Sequence, residues 1–299
     1  MPEILSQFAH RDEWLAARRQ GIGASEIAAV LGLSPWDSPF SLYWSKVQGW
    51  QAEETEEMST GTRVEDVTAA WWCDANDPHE NLSVVPTGLW AHPARPWQLA
   101  TPDRLVYLLD SPVPAAVLEC KWTSTWDGWG EAGTAAIPVY YRTQVLWQCD
   151  VVGVDEWHLA VLGPSGFRAY QGHRDDTDLK MMREAGRRFM DRLANQDQPP
   201  VDEHPATVTA LRHLHPDLDD TEVEVPEQIA AAYRRAVAMR RLAEKVESRY
   251  EAQLRELMGP ARRAVSGGRK VATHVISDVA ASVRAAHRRD YLLAARGPK

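Results

Sequence analysis

In the run Ala116-Val117-Leu118-Glu119-Cys120-Lys121-Trp122, a carboxylate and an ammonium lie two residues apart. A β-strand alternates its faces, so Val117, Glu119 and Lys121 point one way. Ala116, Leu118, Cys120 and Trp122 point the other way and make a core-facing set. Upstream, Thr101-Pro102-Asp103-Arg104 places a second carboxylate at a turn that leads into the apolar residues Leu105, Val106 and Tyr107. An Asp followed by Glu-x-Lys on the next strand provides two hard oxygen ligands for Mg²⁺ and a lysine to position or activate water. These are the needs of a metal-dependent phosphodiesterase. The tripeptide alone equally suits an exposed cross-strand ion pair.

The elements around these residues can be read in chain order. Residues 3–19 read as a helix, with Ile4, Phe8, Trp14 and Leu15 apolar. Two glycines, Gly21 and Gly23, then make a turn, Ser25 can cap a short helix, and Gly32 can end it. A helix start beside Arg18 is also an anion seat, in which N–H groups, a hydroxyl and a guanidinium converge on a phosphate. A plain serine cap and a phosphate seat are compatible. Further helices are expected over residues 40–47 and from Met58, the latter carrying Glu65, which local sequence reads as exposed. Glu53 to Glu57 forms a solvated acidic segment. Residues 84–89 and 97–100 are strands before the Asp103 turn. Trp126 and Trp129 lie in a glycine-containing loop, where such rings serve as core or rim or stack on bases. Ile137-Pro138 opens a helix over residues 139–150, followed by a strand over 157–162 and an amphipathic helix over 180–193. Helices, strands, helix, strand and helix in this order imply a mixed α/β domain.

A chain of 299 residues with 44% hydrophobic and 25% charged residues suits one large globular domain with an appendage. No apolar run reaches membrane-spanning length, and the first residues lack the basic-then-apolar pattern of a secretion signal. Cys73, Cys120 and Cys149 are too scattered for a disulfide framework or zinc site, so reduced thiols in a cytoplasm are expected. The net charge of −9 is unevenly spread: residues 227–299 hold 16 Lys/Arg against 7 Asp/Glu, leaving −18 for the rest. A basic appendage on an acidic body follows, and the body is unsuited to broad electrostatic wrapping of DNA. Asp197-Gln198-Pro199-Pro200 opens a linker over 199–226. Ile229, Tyr233, Val237, Leu242, Val246, Tyr250, Leu254 and Leu257 then form the stripe of a long amphipathic helix, which Gly259-Pro260 ends. Gly267-Gly268 reads as a hairpin turn.

Four blocks in order resemble the YqaJ-type viral recombinase nucleases, relatives of phage lambda exonuclease in the PD-(D/E)xK superfamily. They are Arg18 to Gly32, Gly61-Thr62-Arg63-Val64-Glu65, Pro102-Asp103 with Leu118-Glu119-Cys120-Lys121, and Tyr141-Arg142-Thr143-Gln144-Val145. The resemblance covers about two-thirds of the chain and implies a restriction-endonuclease-like α/β core, a central mixed sheet flanked by helices, over residues 1–198. It makes Asp103 and Glu119 metal ligands, Lys121 the catalytic lysine, Glu65 a helix glutamate supporting the metal site, and Gln144 a glutamine near the water and lysine. Arg18 and Ser25 match positions that bind a terminal phosphate. A Mg²⁺-dependent (or Mn²⁺-dependent) 5′-to-3′ exonuclease on linear duplex DNA is implied, acting in phage-type recombination or end processing. A single-strand annealing partner, a trimeric homo-oligomer and a bacterial or phage-infected cytoplasm are implied as well. Three dispersed cysteines do not match the four-cysteine iron–sulfur site of some relatives. A defence endonuclease and a non-catalytic end-binding scaffold remain the rival readings.

Overall fold

The computed structural model describes residues 3–6, 11–50, 55–77, 79, 81–217 and 219–276. In chain order the elements are β1 (Glu3–Ser6), α1 (Arg11–Arg19), α2 (Ile27–Val30), α3 (Pro39–Gln48), α4 (Glu56–Asn76), β2 (Leu82–Pro86), β3 (Leu89–His92), β4 (Arg95–Ala100), β5 (Arg104–Leu108), β6 (Ala116–Trp122), α5 (Val139–Val152), β7 (Glu156–Gly163), β8 (Gly166–His173), α6 (Asp176–Asn195), α7 (Pro205–Leu214), α8 (Glu227–Met258), β9 (Arg263–Ser266) and β10 (Arg269–Thr273). Two compact units divide at Pro216 and Asp217.

The first unit is a mixed α/β core. Its main sheet has the order β2-β5-β6-β7-β8, with β6 and β7 parallel and the other neighbours antiparallel. Parallel neighbours need a crossover, and α5 provides it. The register Leu118↔His158 and Lys121↔Val161 carries β6 through the middle of the sheet. Both faces of β6 are covered, whereas sequence alternation had required only one. Val117 packs in the large core with Val145, Leu146 and Trp147 of α5. Ala116, Leu118 and Cys120 pack on the other face with Ala69 and Trp72 of α4. Central strands of this kind carry apolar residues on both sides, and a charge among them requires dedicated partners.

A smaller antiparallel sheet, β1-β3-β4, forms a layer beside α5. Ile22 bridges to Gln98 there, with Ile22 N–H donating to the Trp97 carbonyl at 2.7 Å and Leu99 N–H to the Ile22 carbonyl at 2.9 Å. A Cβ at residue 21 would sit 2.2 Å from the Trp97 carbonyl oxygen, so only glycine allows this approach.

Several expectations are corrected. The first predicted helix is in fact a strand over Glu3–Ser6 and a helix from Arg11. The single strand expected over 84–89 is split between β2 and β3, and β8 was not anticipated. The predicted linker contains α7, whose Pro205 occupies the first turn and whose His204 caps it. It packs on α3, where Ser38 Oγ and Thr207 Oγ1 are 2.6 Å apart, and the compact unit therefore runs past residue 198. Glu53 and Glu54 of the acidic segment, and the basic residues Arg284 to Lys299, lie outside the described residues.

In the second unit, α8 is a 32-residue helix with Pro226 before it and Gly259 after it, as the pattern required. Glu251–Arg255 and Arg240–Glu244 pairs line its polar side. β9 and β10 form the hairpin around Gly267 (φ 55°) and Gly268 (φ 75°), where an αL turn favours glycine. Among the described residues, no helix is long and apolar enough to cross a membrane.

Thr207 is fully buried, and its hydroxyl joins Ser38 to the Asp202 carboxylate. Thr207→Val should remove one hydrogen bond each from Ser38 and Asp202, which keep those from Ser41 N–H and His204 N–H, and lower stability by about 1–3 kcal/mol, while Thr207→Ser restores most of it. Chemical denaturation of the three proteins checks this.

Candidate active site

Asp103 lies at the bend just before β5, and the antiparallel register Arg104↔Leu118 brings it level with Glu119 on β6. The two strands are locked at this point: Cys120 N–H donates to Asp103 Oδ2 at 2.8 Å. Glu119 is 2% exposed, on the α5 side of the sheet. Its Oε1 accepts from Lys121 Nζ at 2.5 Å and from Gln144 Nε2 at 2.5 Å, and its Oε2 accepts from Gln148 Nε2 at 2.6 Å. Gln144 and Gln148 are one helical turn apart on α5, so both amides face the same carboxylate. The strand–helix pairing thus brings together Asp103, Glu119, Lys121 and Gln144.

Glu65 stands at the edge of this group. Local sequence made it an exposed helix residue, but Arg104 Nη1 donates to it at 2.6 Å and to the Asp103 carbonyl at 2.6 Å. Arg104 Nη2 also pairs with Asp66. The buried Arg104 therefore ties α4 to the start of β5. It was not singled out from the sequence, although its place directly after Asp103 on a strand with two covered faces required it to find partners. Gln148 was missed as well. Its signal was the spacing of four from Gln144.

Excess negative charge marks the site. Burial raises the Asp103 carboxyl well above the usual carboxylate range, and Glu119 and Glu65 raise it further against the opposing pull of Lys121. The Cys120 thiol is pushed up by burial and then by the same two carboxylates, Asp103 and Glu119. Lys121 moves above its ordinary value: burial opposes its charge, but Glu119 and Asp103 outweigh burial. Lys121 here is an ammonium, with Nζ 5.6 Å from the centre of the Tyr141 ring. Burial also holds the Tyr141 phenol neutral by raising it.

The second sequence-derived cluster is assembled too, with one correction. Arg18 Nη2 donates to Ser25 Oγ at 3.1 Å, and the guanidinium lies 4.6 Å over the Trp14 ring. Ser25 is not the helix cap: Glu26 occupies the N-cap position of α2, which has four residues and no side-chain cap. Glu26 instead accepts from Gly23 N–H at 2.7 Å and from Lys46 Nζ at 2.8 Å, and lies 3.5 Å from Arg18. Burial pushes the Glu26 carboxyl up, but Lys46 and Arg18 together bring it below its usual value. Lys46 is lowered by burial despite the same contact. The two shifts are not symmetric, because Lys46 also faces the repulsion of Arg18. Of the two loop tryptophans, Trp129 packs on the large core beside Tyr141 and Tyr170, and Trp126 carries Arg168 4.0 Å over its ring.

Among the described residues, no group of three or more His, Cys, Asp or Glu is arranged to hold a metal ion. Asp103 and Glu119 supply two carboxylates. Asp103 Oδ1 accepts no hydrogen bond among the described residues, while both oxygens of Glu119 are engaged.

Asp103 is protonated more readily in the folded chain than in the unfolded one. Below the ordinary carboxylate range both states hold the proton and Asp103 adds no pH dependence to stability. As pH rises above that range, the unfolded chain releases its proton first, so folding stability falls. Asp103→Asn keeps an acceptor for Cys120 N–H and cannot ionise. In metal-free buffer its melting temperature should exceed that of the parent, by a margin that widens as pH rises above the ordinary carboxylate range. A constant or shrinking margin in a thermal melt would contradict the charge arrangement described.

Residues 13–155 match the model of the YqaJ-like viral recombinase domain. The chain is similar to the uncharacterised protein YqaJ of Bacillus subtilis, with 27% identity over 263 residues, 85% of this chain and 79% of that protein. Among solved structures it resembles the alkaline exonuclease LHK-Exo of Laribacter hongkongensis in complex with dAMP. The match has 21% identity and a TM-score of 0.50, and covers 62% of this chain and 94% of that one. A second structure of that enzyme gives 20% identity and a TM-score of 0.48. The chain thus shares the fold of the dAMP-bound structure, a mixed sheet flanked by helices, followed here by a C-terminal helical extension.

Proposed function

Because residues 13–155 match the model of the YqaJ-like viral recombinase domain, we propose that this chain belongs to that family and is a divalent-metal-dependent DNA exonuclease. In this reading it degrades linear duplex from a 5′ end during phage-type recombination or end processing. The observation that carries the reading is the buried Glu119 carboxylate, surrounded by Lys121, Gln144 and Gln148 and set level with the charge-strained Asp103.

The donor set fits a hard cation. The neighbouring carboxylates raise the cost of ionising Asp103, and a divalent ion relieves that cost. Asp103 and Glu119 would hold Mg²⁺ or Mn²⁺, which supplies Lewis-acid polarisation of the phosphate and a more acidic water. Gln148 fixes one oxygen of Glu119 and Gln144 the other, so the carboxylate cannot rotate away. Lys121, kept protonated, presents an ammonium beside the carboxylates, where it stabilises developing negative charge and orients water. Arg104 keeps Glu65 and the α4 helix against this edge. Arg18 and Ser25 are suited to a terminal phosphate, since a guanidinium and a hydroxyl already lie 3.1 Å apart on a backbone pinned by Gly21. Assembly into a ring and pairing with a single-strand annealing protein belong to the same proposal. So does a DNA or partner contact for the arginines of α8.

With Mg²⁺ and end-labelled linear duplex, release of nucleotides from the 5′ end is expected, with closed circular duplex left intact. Cleavage of the circle would favour an endonuclease, and metal-dependent binding without cleavage would favour a scaffold. Lys121→Ala should lower the rate by about 10²–10⁴-fold. Asp103→Ala and Glu119→Ala should do at least as much, and double variants should be little worse than singles because the groups act as a unit.

The phosphate seat has its own test. Duplex with a 5′-phosphate should be degraded faster than 5′-hydroxyl duplex, and Arg18→Ala should shrink that difference while leaving the metal concentration dependence unchanged. Equal losses on both ends would remove Arg18 from the phosphate site.

A further inference from the structure

A run of aromatic rings ends at the proposed active site. Trp129 lies 5.4 Å from Tyr141, Tyr141 4.5 Å from Tyr140, and Trp36 4.9 Å from Tyr140 and 6.0 Å from Tyr141. Lys121 Nζ stands 5.6 Å from the Tyr141 ring centre. Trp129 and Tyr141 are half-buried against the large core, Tyr140 is half-buried too, and Trp36 at the end of the run is 60% exposed.

Trp36 is exposed but rigidly mounted. The Ser34 hydroxyl accepts from the N–H groups of Trp36 and Asp37, each at 3.1 Å. The Ser34 carbonyl lies 3.1 Å from His204 Nε2 of the α7 cap, and Ser38 starts α3 through reciprocal bonds with Ser41. The turn is therefore held from both sides, and little backbone ordering remains for a ligand to impose. A large indole presented in this way, one ring away from a lysine poised for phosphate chemistry, has the properties of a stacking platform. The loop tryptophans lack them: Trp126 is covered by Arg168 and Trp129 by Tyr141 and Tyr170.

We propose that Trp36 stacks on a nucleobase of the DNA strand adjoining the phosphodiester at Asp103, Glu119 and Lys121. The proposal rests on the nuclease reading. The contact takes any base, because every base offers a π-face, and it favours an unpaired base over one within the duplex.

The test uses the full chain in EDTA, so that no strand is cut. Fluorescence anisotropy would measure binding of a 5′-phosphorylated duplex with frayed terminal bases, and of the same duplex with abasic residues at those positions. Trp36→Ala should weaken binding of the intact probe by about 5- to 150-fold, the range for loss of one base–aromatic stack. On the abasic probe it should change nothing, because the loss has already occurred. Trp36→Phe should retain most of the affinity, and both variants should melt with the parent, since the side chain is mostly exposed. Equal weakening on both probes, or none on either, would overturn the stacking contact while leaving the nuclease reading in place. A parent protein that binds neither probe would overturn the stacking contact, and one that also cuts no end-labelled duplex with Mg²⁺ would overturn both.

Discussion

Burial of the Glu119 carboxylate is the constraint on which the rest of the first unit depends. An ionised carboxylate in a sheet covered on both faces costs several kcal/mol to desolvate. Charge-assisted hydrogen bonds offset about 1.5–3 kcal/mol each, so one partner does not suffice and three do. Lys121 comes from the same strand, but Gln144 and Gln148 must come from α5. Their spacing fixes the rotation of α5 about its axis, and the parallel crossover that α5 makes fixes its position on the sheet. Satisfying one charge thus sets the register of the central layer.

A second buried carboxylate shows the opposite balance. Asp150, also on α5, accepts from Arg95 at 2.9 Å, Gln98 at 2.7 Å and Arg183 at 2.8 Å. Burial raises its carboxyl, but Arg183 and Gln98, with Arg95, bring it below the usual range. Its contribution to stability is present above the ordinary carboxylate range and is lost as pH falls through the depressed value. Asp150 joins β4, α5 and α6 and has cations to spare. Asp103 has a deficit of them. The same residue type therefore builds the scaffold at one end of α5 and leaves unmet charge at the other, and unmet charge is the mark of a functional group.

The glycine turn between α1 and α2 links the two halves of the proposed site. Gly21 lets the backbone reach Trp97 on β4, which holds the chain carrying Arg18 and Ser25 against the small sheet. Glu26 and Lys46 then brace that chain from α3. The seat consequently depends on packing between layers, and a four-residue helix with no side-chain cap contributes little of its own.

The sequence by itself determined the long-range outline. Alternation placed Glu119 and Lys121 on one face of β6, periodicity with Pro226 and Gly259 bounded α8 to the residue, and Gly267-Gly268 marked the hairpin. These features follow from local geometry, which a chain carries in its spacing. Only the tertiary structure decided what depends on partners far along the chain. Residues 3–6 form a strand because β3 offers an edge, and α7 arises within a proline-rich stretch because α3 provides a surface for it. Ser25 serves Arg18 instead of a helix end, and Glu65 is engaged because Arg104 is buried beside it. Trp129 is taken into the core and Trp36 is left out. In each case the local sequence allowed two outcomes, and contact with a distant element chose between them.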